Sequence, residues 1–341
     1  MINAKTRLVH ALQGSEVDRP PFVCPGGMMN MVTAEVLHKL DLSWPQVYGD
    51  PKLLAELALK ARELSGIENL GVPFCMTVEA EGLGAGIDWG SQYTEPRVVK
   101  YPLAQVKDWH ELRDFDLNQG RIAIMLQAIR QLAQLDNEMP IIVSLTGPLS
   151  LATSLIEPMS FFRGMRGNKD EIHAFLAFLS SNLIRLALAL AQAGADVLTI
   201  ADPSSSGEIL GPAIFEEFAL PYINQIIAES DDVYRTSLIH ICGHLDSIFP
   251  QLRRLDSPAI SIDSATNVTA IKAAVPNKVV VGNVSTHLLQ TASPEKVEAA
   301  ARRCMIQGVG VLAPACGLSM STPLLNLQAM SIAARKFNLT S

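Results

Sequence analysis

Short β-branched runs alternate with longer helical patterns through most of this chain, and this alternation limits the folds that it can adopt. From Pro140 onward, six runs rich in valine and isoleucine each end in polar or turn residues, namely PIIVSLTGP, ADVLTIADP, TSLIHICG, PAISID, KVVVGNVS and GVGVLAPACG. Helical segments such as 171–193 separate them. Runs that are apolar on both faces fit buried parallel strands, and crossover helices disfavour an antiparallel sandwich. The pattern predicts six βα units.

The first 139 residues complete the repeat. They contain two further strand candidates, at 21–24 and 67–73, and an amphipathic helix at 51–65. Eight strands with intervening helices predict an α/β protein with a (β/α)8 TIM barrel as a single domain over residues 1–341. The segment around 81–116 fits the repeat poorly, because it contains glycines, charged turns and the isolated extended piece EPRVVKYP. We expect this segment to be an insertion into the barrel.

Composition and charge exclude several classes of protein. Apolar residues make up 48% of the chain and charged residues 18%, which favours a folded core over disorder. The net charge of −7 gives no general attraction for phosphate backbones, so we expect no nucleic-acid partner. The N-terminus lacks a continuous apolar segment, and charged residues interrupt the apolar stretch 183–200. We therefore expect a cytoplasmic protein with no membrane partner.

The cysteines indicate ligands or free thiols rather than a disulfide framework. Their number, five, is odd, and no secretion signal is evident. His240 and Cys242 stand two residues apart at the end of TSLIHICG, and residues i and i+2 of a strand share one face, about 6.5–7 Å apart. Cys316 ends another strand candidate. Because the carboxyl ends of barrel strands meet at one mouth, we expect the three side chains to converge there.

One histidine and two thiolates form a typical catalytic zinc set with one open position. The alternative for each residue alone is structural, since a lone histidine near a strand is often simply hydrogen-bonded and cysteine is often a small buried hydrophobe. The joint occurrence of His240, Cys242 and Cys316 at two strand ends favours a metal site.

Other polar and glycine residues follow the strand candidates. Asp263 ends the strand after the H-x-C strand, where it is either a fourth metal ligand that substrate displaces or a carboxylate that caps a helix or belongs to a loop. Asp202, in IADP, is a second candidate catalytic residue, able to orient a ligand, bind substrate or move a proton. Gly26 and Gly27 follow the first strand, where backbone amides can approach a cofactor closely, although a plain turn explains them equally well.

Several segments resemble the uroporphyrinogen decarboxylase superfamily over nearly the whole chain, namely TRLVHALQGSEVDRPP, ADP, VVGNVS and CGLSMSTP. Within it, the chain is similar to the methylcobamide:coenzyme M methyltransferases, on the segments HICG, LAPACG, IADP and VPFCMTVEAE. No segment like M-R-Q-A-G-R follows the first strand, as it would in a decarboxylase. Asn283, within VVGNVS, is expected to join Gly26 and Gly27 in cofactor binding.

The resemblance implies zinc held at the barrel mouth by His240, Cys242 and Cys316. It also implies transfer of a methyl group from a methylated corrinoid to a small thiol such as coenzyme M. The chain lacks a D-x-H-x-x-G corrinoid-binding signature, so the corrinoid is expected to arrive on a small partner protein, with free methylcobalamin as a substitute. Relatives carry glutamate at the place of Asp263 and of Leu325, so the roles of those glutamates do not transfer directly.

Two other functions stay open at this point. The first is a metal-free enzyme like uroporphyrinogen decarboxylase, which would release CO2 from a tetrapyrrole acid. The second is a non-catalytic module that binds a corrinoid protein and carries a structural zinc with four ligands. The acceptor is open as well, since homocysteine, another thiol or a pterin would leave the zinc motif almost unchanged.

Overall fold

The computed structural model describes residues 2–27, 30–135 and 138–337. Among these, the strands in chain order are β1 (Leu70–Val72), β2 (Gly86–Asp88), β3 (Arg97–Lys100), β4 (Ile141–Thr146), β5 (Val197–Ala201), β6 (Thr236–Ile241), β7 (Ala259–Ile262), β8 (Val279–Val284) and β9 (Val311–Pro314). A curled parallel sheet has the order β1-β4-β5-β6-β7-β8-β9, and β2 and β3 form a separate antiparallel hairpin.

The segment around Phe22 takes the eighth strand position and closes the sheet. Phe22 forms a parallel bridge with Leu312 of β9, where the Leu312 N–H donates to the Pro21 carbonyl oxygen over 2.9 Å. On its other side, the Glu68 N–H donates to the Phe22 carbonyl oxygen over 2.8 Å, just before β1 begins. The predicted (β/α)8 barrel is therefore confirmed, with its first strand reduced to a short bridge.

Helices surround the sheet: α1 (Ala4–Leu12), α2 (Ala34–Lys39), α3 (Pro51–Ser65), α4 (Val78–Gly82), α5 (Gly120–Leu135), α6 (Pro148–Leu155), α7 (Pro158–Gly167), α8 (Lys169–Ala193), α9 (Gly207–Ile214), α10 (Leu220–Ser230), α11 (Phe249–Leu252), α12 (Val268–Ala274), α13 (Thr286–Thr291), α14 (Pro294–Ile306) and α15 (Leu324–Arg335).

Local sequence explains where α3 begins and ends. The Asp50 side chain accepts from the Lys52 N–H over 2.7 Å, and Gly66, at φ +78°, ends the helix in the left-handed conformation.

Alternate residues of each strand divide the core into an inner and an outer part. The inner part is a closed cluster that fills the barrel, comprising Leu8, Ala11, Leu12, Val23, Ile142, Val197, Leu238, Ala259, Val281, Val311 and Ala313. Helix α1 covers the end where the strands begin, since the Gln13 side chain donates to the Arg235 carbonyl oxygen just before β6. The outer strand faces pack against the helices. The filled interior leaves the carboxyl ends of the strands as the place for a site.

Helix α8 is long and apolar enough, by length and composition, to cross a membrane, and it is the one such helix in the described part of the chain. Half of its most apolar window is buried, and it packs against α5, α6 and α10. Core helices of soluble proteins pass the same test, so this packing accounts for the apolar character of α8.

The β2–β3 hairpin lies within the segment predicted as an insertion. The Trp44 indole N–H donates to the Trp89 carbonyl oxygen over 2.8 Å. The Arg121 guanidinium lies over the rings of Tyr48 and Trp89, at 5.0 and 5.2 Å from their centroids. These contacts attach the hairpin to the barrel, whereas its origin as an insertion into a single domain stays a prediction.

Candidate metal centre

The structure brings His240, Cys242 and Cys316 together at the barrel mouth. Their donor atoms all lie within 4.8 Å of one another, and within the described ranges they are the group suited to hold a metal ion. The His240 Nε2 atom is 3.1 Å from the Cys242 Sγ atom, which is 3.3 Å from the Cys316 Sγ atom. His240 is buried near the end of β6, and Cys242 and Cys316 follow the ends of β6 and β9.

The chemistry of this donor set fits zinc. A distance of 3.3 Å between the two sulfurs is far from the ~2.05 Å of a disulfide, and both cysteines are free thiols. Zinc bound at about 2.0–2.3 Å in a tetrahedron would separate such donors by roughly 3.5–3.8 Å, which is within about half an ångström of the separations of Cys242 from His240 and from Cys316. One imidazole and two sulfurs also suit zinc better than magnesium or calcium, which prefer oxygen ligands.

The two thiols at the site differ in pKa. The hydrogen bond from Cys242 lowers the pKa of Cys316 well below its usual value, and a further bond from His240 acts in the same direction against the effect of burial. The same contact with Cys316 raises the pKa of Cys242, and burial and the nearby negative charge of Asp263 raise it further. One thiolate is therefore favoured on Cys316, and metal binding would displace the remaining proton.

The neighbouring strand sets the orientation of the His240 ring. The register of β6 and β7 places His240 opposite Ser261. The His240 Nδ1 atom lies 3.0 Å from the Ser261 Oγ atom, and both residues are buried. This contact leaves Nε2 facing the sulfurs. The sequence-based prediction did not include Ser261, although it is the one small polar residue inside the apolar run AISI.

Asp263 and Asn283 belong to one loop arrangement beside the site. The Asp263 carboxylate accepts from the Ala265 N–H over 2.8 Å, and it is not among the three residues of the donor group. The Asn283 side-chain amide donates to the carbonyl oxygens of Asp263 and Thr266, at 3.0 and 3.1 Å. Asn283 therefore holds the loop after β7. Zinc ligation by Asp263 and cofactor binding by Asn283 stay predictions.

Asp202 is fully buried at the end of β5 and binds the first turn of helix α6. Its carboxylate accepts from the Ser150 N–H over 2.8 Å, from the Ser150 hydroxyl over 2.6 Å and from the Leu149 N–H over 3.2 Å. Burial raises its pKa, and the bonds from Ser150 oppose this rise. Through these contacts Asp202 caps helix α6, whereas a catalytic role for Asp202 stays a prediction.

Gly26 and Gly27 allow two close backbone approaches. A Cβ atom on Gly26 would lie 2.3 Å from the Ser144 Oγ atom. One on Gly27 would lie 2.7 Å from the Gly317 nitrogen, next to Cys316, and φ is +110° at Gly27. Close packing beside the donor group thus explains the double glycine, whereas cofactor binding by it stays a prediction.

The fold and the site together define a (β/α)8-barrel protein with a candidate His-Cys-Cys metal centre at the carboxyl ends of its strands. The chain belongs to the uroporphyrinogen decarboxylase (URO-D) family, whose sequence model matches residues 3–337.

Two methyltransferases of known sequence and one solved structure are similar to this chain over nearly its whole length. The chain is 33% identical to the methylcobamide:CoM methyltransferase MtbA of Methanosarcina mazei, over 98% of each sequence. It is 32% identical to the methylcobamide:CoM methyltransferase MtaA of Methanosarcina barkeri, over 97% of each. The solved structure of a methyltransferase from Methanosarcina mazei superposes with a TM-score of 0.92 at 30% identity, over 99% of each chain. The predicted resemblance to methylcobamide:coenzyme M methyltransferases is confirmed.

Proposed function

We propose that this protein is a zinc-dependent methyltransferase that moves a methyl group from a methylated corrinoid to a small thiol such as coenzyme M. The observation that carries the proposal is the convergence of His240, Cys242 and Cys316 into one three-donor group at the barrel mouth. The full-length similarity to methyltransferases named for methylcobamide and coenzyme M supports the choice of donor and acceptor.

In this proposal, His240, Cys242 and Cys316 would hold zinc, and the substrate thiol would bind beside them. Zinc bound there would deprotonate the thiol at neutral pH while leaving its sulfur nucleophilic. Two cysteine ligands make the donor group electron-rich, which keeps the substrate sulfur reactive. An apolar cluster of α1 and strand residues fills the end of the barrel where the strands begin, so the thiol would approach from the mouth.

The methyl transfer itself is an in-line displacement. The substrate sulfur attacks the methyl carbon, a sulfur–carbon bond forms, and the cobalt–carbon bond breaks with its electron pair going to cobalt. Co(III) thereby becomes Co(I), the thiol becomes a thioether, and the thiol proton passes to solvent. The site residues of this chain position the sulfur, and the methyl group comes entirely from the corrinoid substrate.

The corrinoid is proposed to arrive on a separate small protein that docks at the mouth, in the cytoplasm, with free methylcobalamin able to replace it. The acceptor that the relatives' names support is coenzyme M.

Metal content and methylcobalamin demethylation, measured on the same purified protein with a panel of thiols, test the proposal. We expect about one zinc per chain and loss of the cobalt–alkyl absorbance with one thiol of the panel. A protein without zinc that releases CO2 from a tetrapyrrole acid would instead be a decarboxylase. Zinc without turnover, even when the corrinoid is supplied on its carrier protein, would indicate a binding module.

Replacing one sulfur ligand separates a catalytic metal site from a structural thiol. We expect Cys316→Ser to lose most of its zinc and most of its demethylation rate together, because a serine hydroxyl is a poor zinc ligand at neutral pH. The matched control is Cys304→Ser, since Cys304 is a buried cysteine on α14 that lies outside the donor group. Full zinc occupancy and activity in Cys316→Ser would refute the assignment.

A further inference from the structure

The contact between His240 and Ser261 extends the site beyond its three donors. Of the two ring nitrogens of His240, Nε2 lies 3.1 Å from the Cys242 sulfur and Nδ1 lies 3.0 Å from the Ser261 Oγ atom. A neutral imidazole carries its proton on only one nitrogen, and a metal ligand must present the other one without a proton. The serine hydroxyl lies within hydrogen-bond distance of the nitrogen that faces away from the sulfurs, and its oxygen can accept from that nitrogen.

We infer that Ser261 is a positioning residue, which accepts the Nδ1 proton of His240 and so holds the ring with Nε2 available for the metal. This inference rests on the proposed function, because it assumes a metal at the His-Cys-Cys group. Hydrogen-bond acceptors on the outer nitrogen of a metal-bound histidine set its tautomer and ring orientation, and their loss costs about 10–100-fold in metal affinity.

The backbone makes this contact rigid. His240 and Ser261 are paired directly across the parallel ladder of β6 and β7, so the distance between them does not depend on a loop. His240 is 3% exposed and Ser261 is 1% exposed, so water competes poorly for either side chain. A hydrogen bond between two buried strand residues selects one tautomer more strongly than a bond at the surface would.

A serine at this place adds no charge to the site. Many metal-bound histidines donate to a carboxylate, which adds negative charge and makes the imidazole more basic. Ser261 is neutral, so it orients the ring without adding a further charge next to the two sulfurs and to Asp263, whose negative charge already acts on Cys242. Orientation is therefore its contribution.

Zinc affinity, measured by competition with a chromophoric chelator, tests the inference independently of catalysis. We expect Ser261→Ala to bind zinc roughly 10–100-fold more weakly than the unmodified protein. Ser261→Thr keeps a hydroxyl on a β-branched side chain that suits a strand, so it should restore most of the affinity. The matched control is Ser144→Ala, which removes a buried strand hydroxyl without a partner in the described part of the chain and should leave zinc affinity unchanged.

A spectroscopic readout reports the hydrogen bond itself. In protein labelled with 15N-histidine, the Nδ1–H of His240 should give an exchange-protected signal in the unmodified protein and in Ser261→Thr, and this signal should be lost in Ser261→Ala. Wild-type affinity in a folded Ser261→Ala protein that also retains the signal would overturn the inference and leave the proposed function intact. An unmodified protein that binds no zinc would overturn both.

Discussion

At the scale of single residues, the geometry of the donor group depends on neighbours that bind no metal. The backbone at Cys316 and Gly317 packs against Gly27, and the His240 ring is held by Ser261. The sulfurs of Cys242 and Cys316 are within hydrogen-bond distance, and this contact lowers the pKa of Cys316. Small residues next to the ligands thus help to place the donor atoms.

Gly27→Ala tests this dependence on close packing. The new Cβ atom would lie 2.7 Å from the Gly317 nitrogen, at a backbone φ of +110° that L-residues rarely adopt. We expect the free energy of unfolding to fall by about 1–3 kcal/mol. Zinc affinity should fall as well, because the segment that carries Cys316 must move. Urea denaturation and chelator competition measure the two effects.

Gly49→Ala is the control, since an added Cβ atom there meets no atom within 4 Å and the backbone does not require a positive φ. Gly49→Ala should change neither the free energy of unfolding nor the zinc affinity appreciably. Equal effects of the two substitutions would show that close packing at Gly27 does not support the site.

At the scale of secondary-structure elements, a buried polar cap joins the end of one strand to the helix that follows its neighbour in the sheet. Asp202, after β5, binds the first turn of α6, which itself follows β4. A carboxylate at a helix N-terminus satisfies free N–H groups and interacts favourably with the helix dipole. Adjacent βα units are thereby coupled beside the mouth.

Removing this cap should destabilise the barrel. We expect Asp202→Ala to lower the free energy of unfolding by about 1–3 kcal/mol, because buried donors of Ser150 and Leu149 lose their acceptor. Burial raises the pKa of Asp202, so the folded state holds this proton more tightly than the unfolded state does. The contribution of Asp202 is therefore greatest below its ordinary pKa and declines as pH rises towards the raised pKa.

The cost of Asp202→Ala should accordingly be larger near the ordinary aspartate pKa than at neutral pH. Denaturant unfolding at both pH values measures it, with Asp232→Ala, at an exposed aspartate, as the control. A cost that grows with rising pH would contradict the argument.

At the scale of the whole molecule, one buried carboxylate links the segments that close the barrel. Glu68 accepts two bonds of 2.7 Å from Arg19, one of 3.3 Å from Arg7 of helix α1, and one of 3.0 Å from the Phe22 N–H. It therefore joins the helix that covers the bottom of the barrel, the short first strand and the start of β1. Helix α1 and the first strand are distant from Glu68 in sequence, and that strand is only a short bridge.

Glu68→Ala should therefore destabilise the folded protein. We expect a loss of about 3–5 kcal/mol in the free energy of unfolding, because Arg19 would lose its buried partner and the Phe22 N–H its acceptor, whereas Arg7 keeps Asp18. Glu63→Ala is the control, since Glu63 forms an exposed ion pair with Lys60 and should contribute little to stability. Similar unfolding midpoints for the two variants would show that closure does not depend on Glu68.

The sequence by itself determined the barrel and the identity of the candidate donors. Alternating βα units follow from local hydrophobic periodicity, which is readable without any tertiary contact. The H-x-C spacing and the place of Cys316 after a strand are also local, and in a parallel barrel every strand end points to the same mouth. That rule is why convergence of the three donors could be predicted.

Only the tertiary structure decided which partner each remaining side chain has. Asp202 binds a helix that follows another strand, Asn283 holds the loop at Asp263, and Ser261 reaches His240 across a strand pair. Each contact depends on inter-strand register or on a loop path between segments distant in the chain. Periodicity within one segment carries no information about either, because register is set by packing against the other strands.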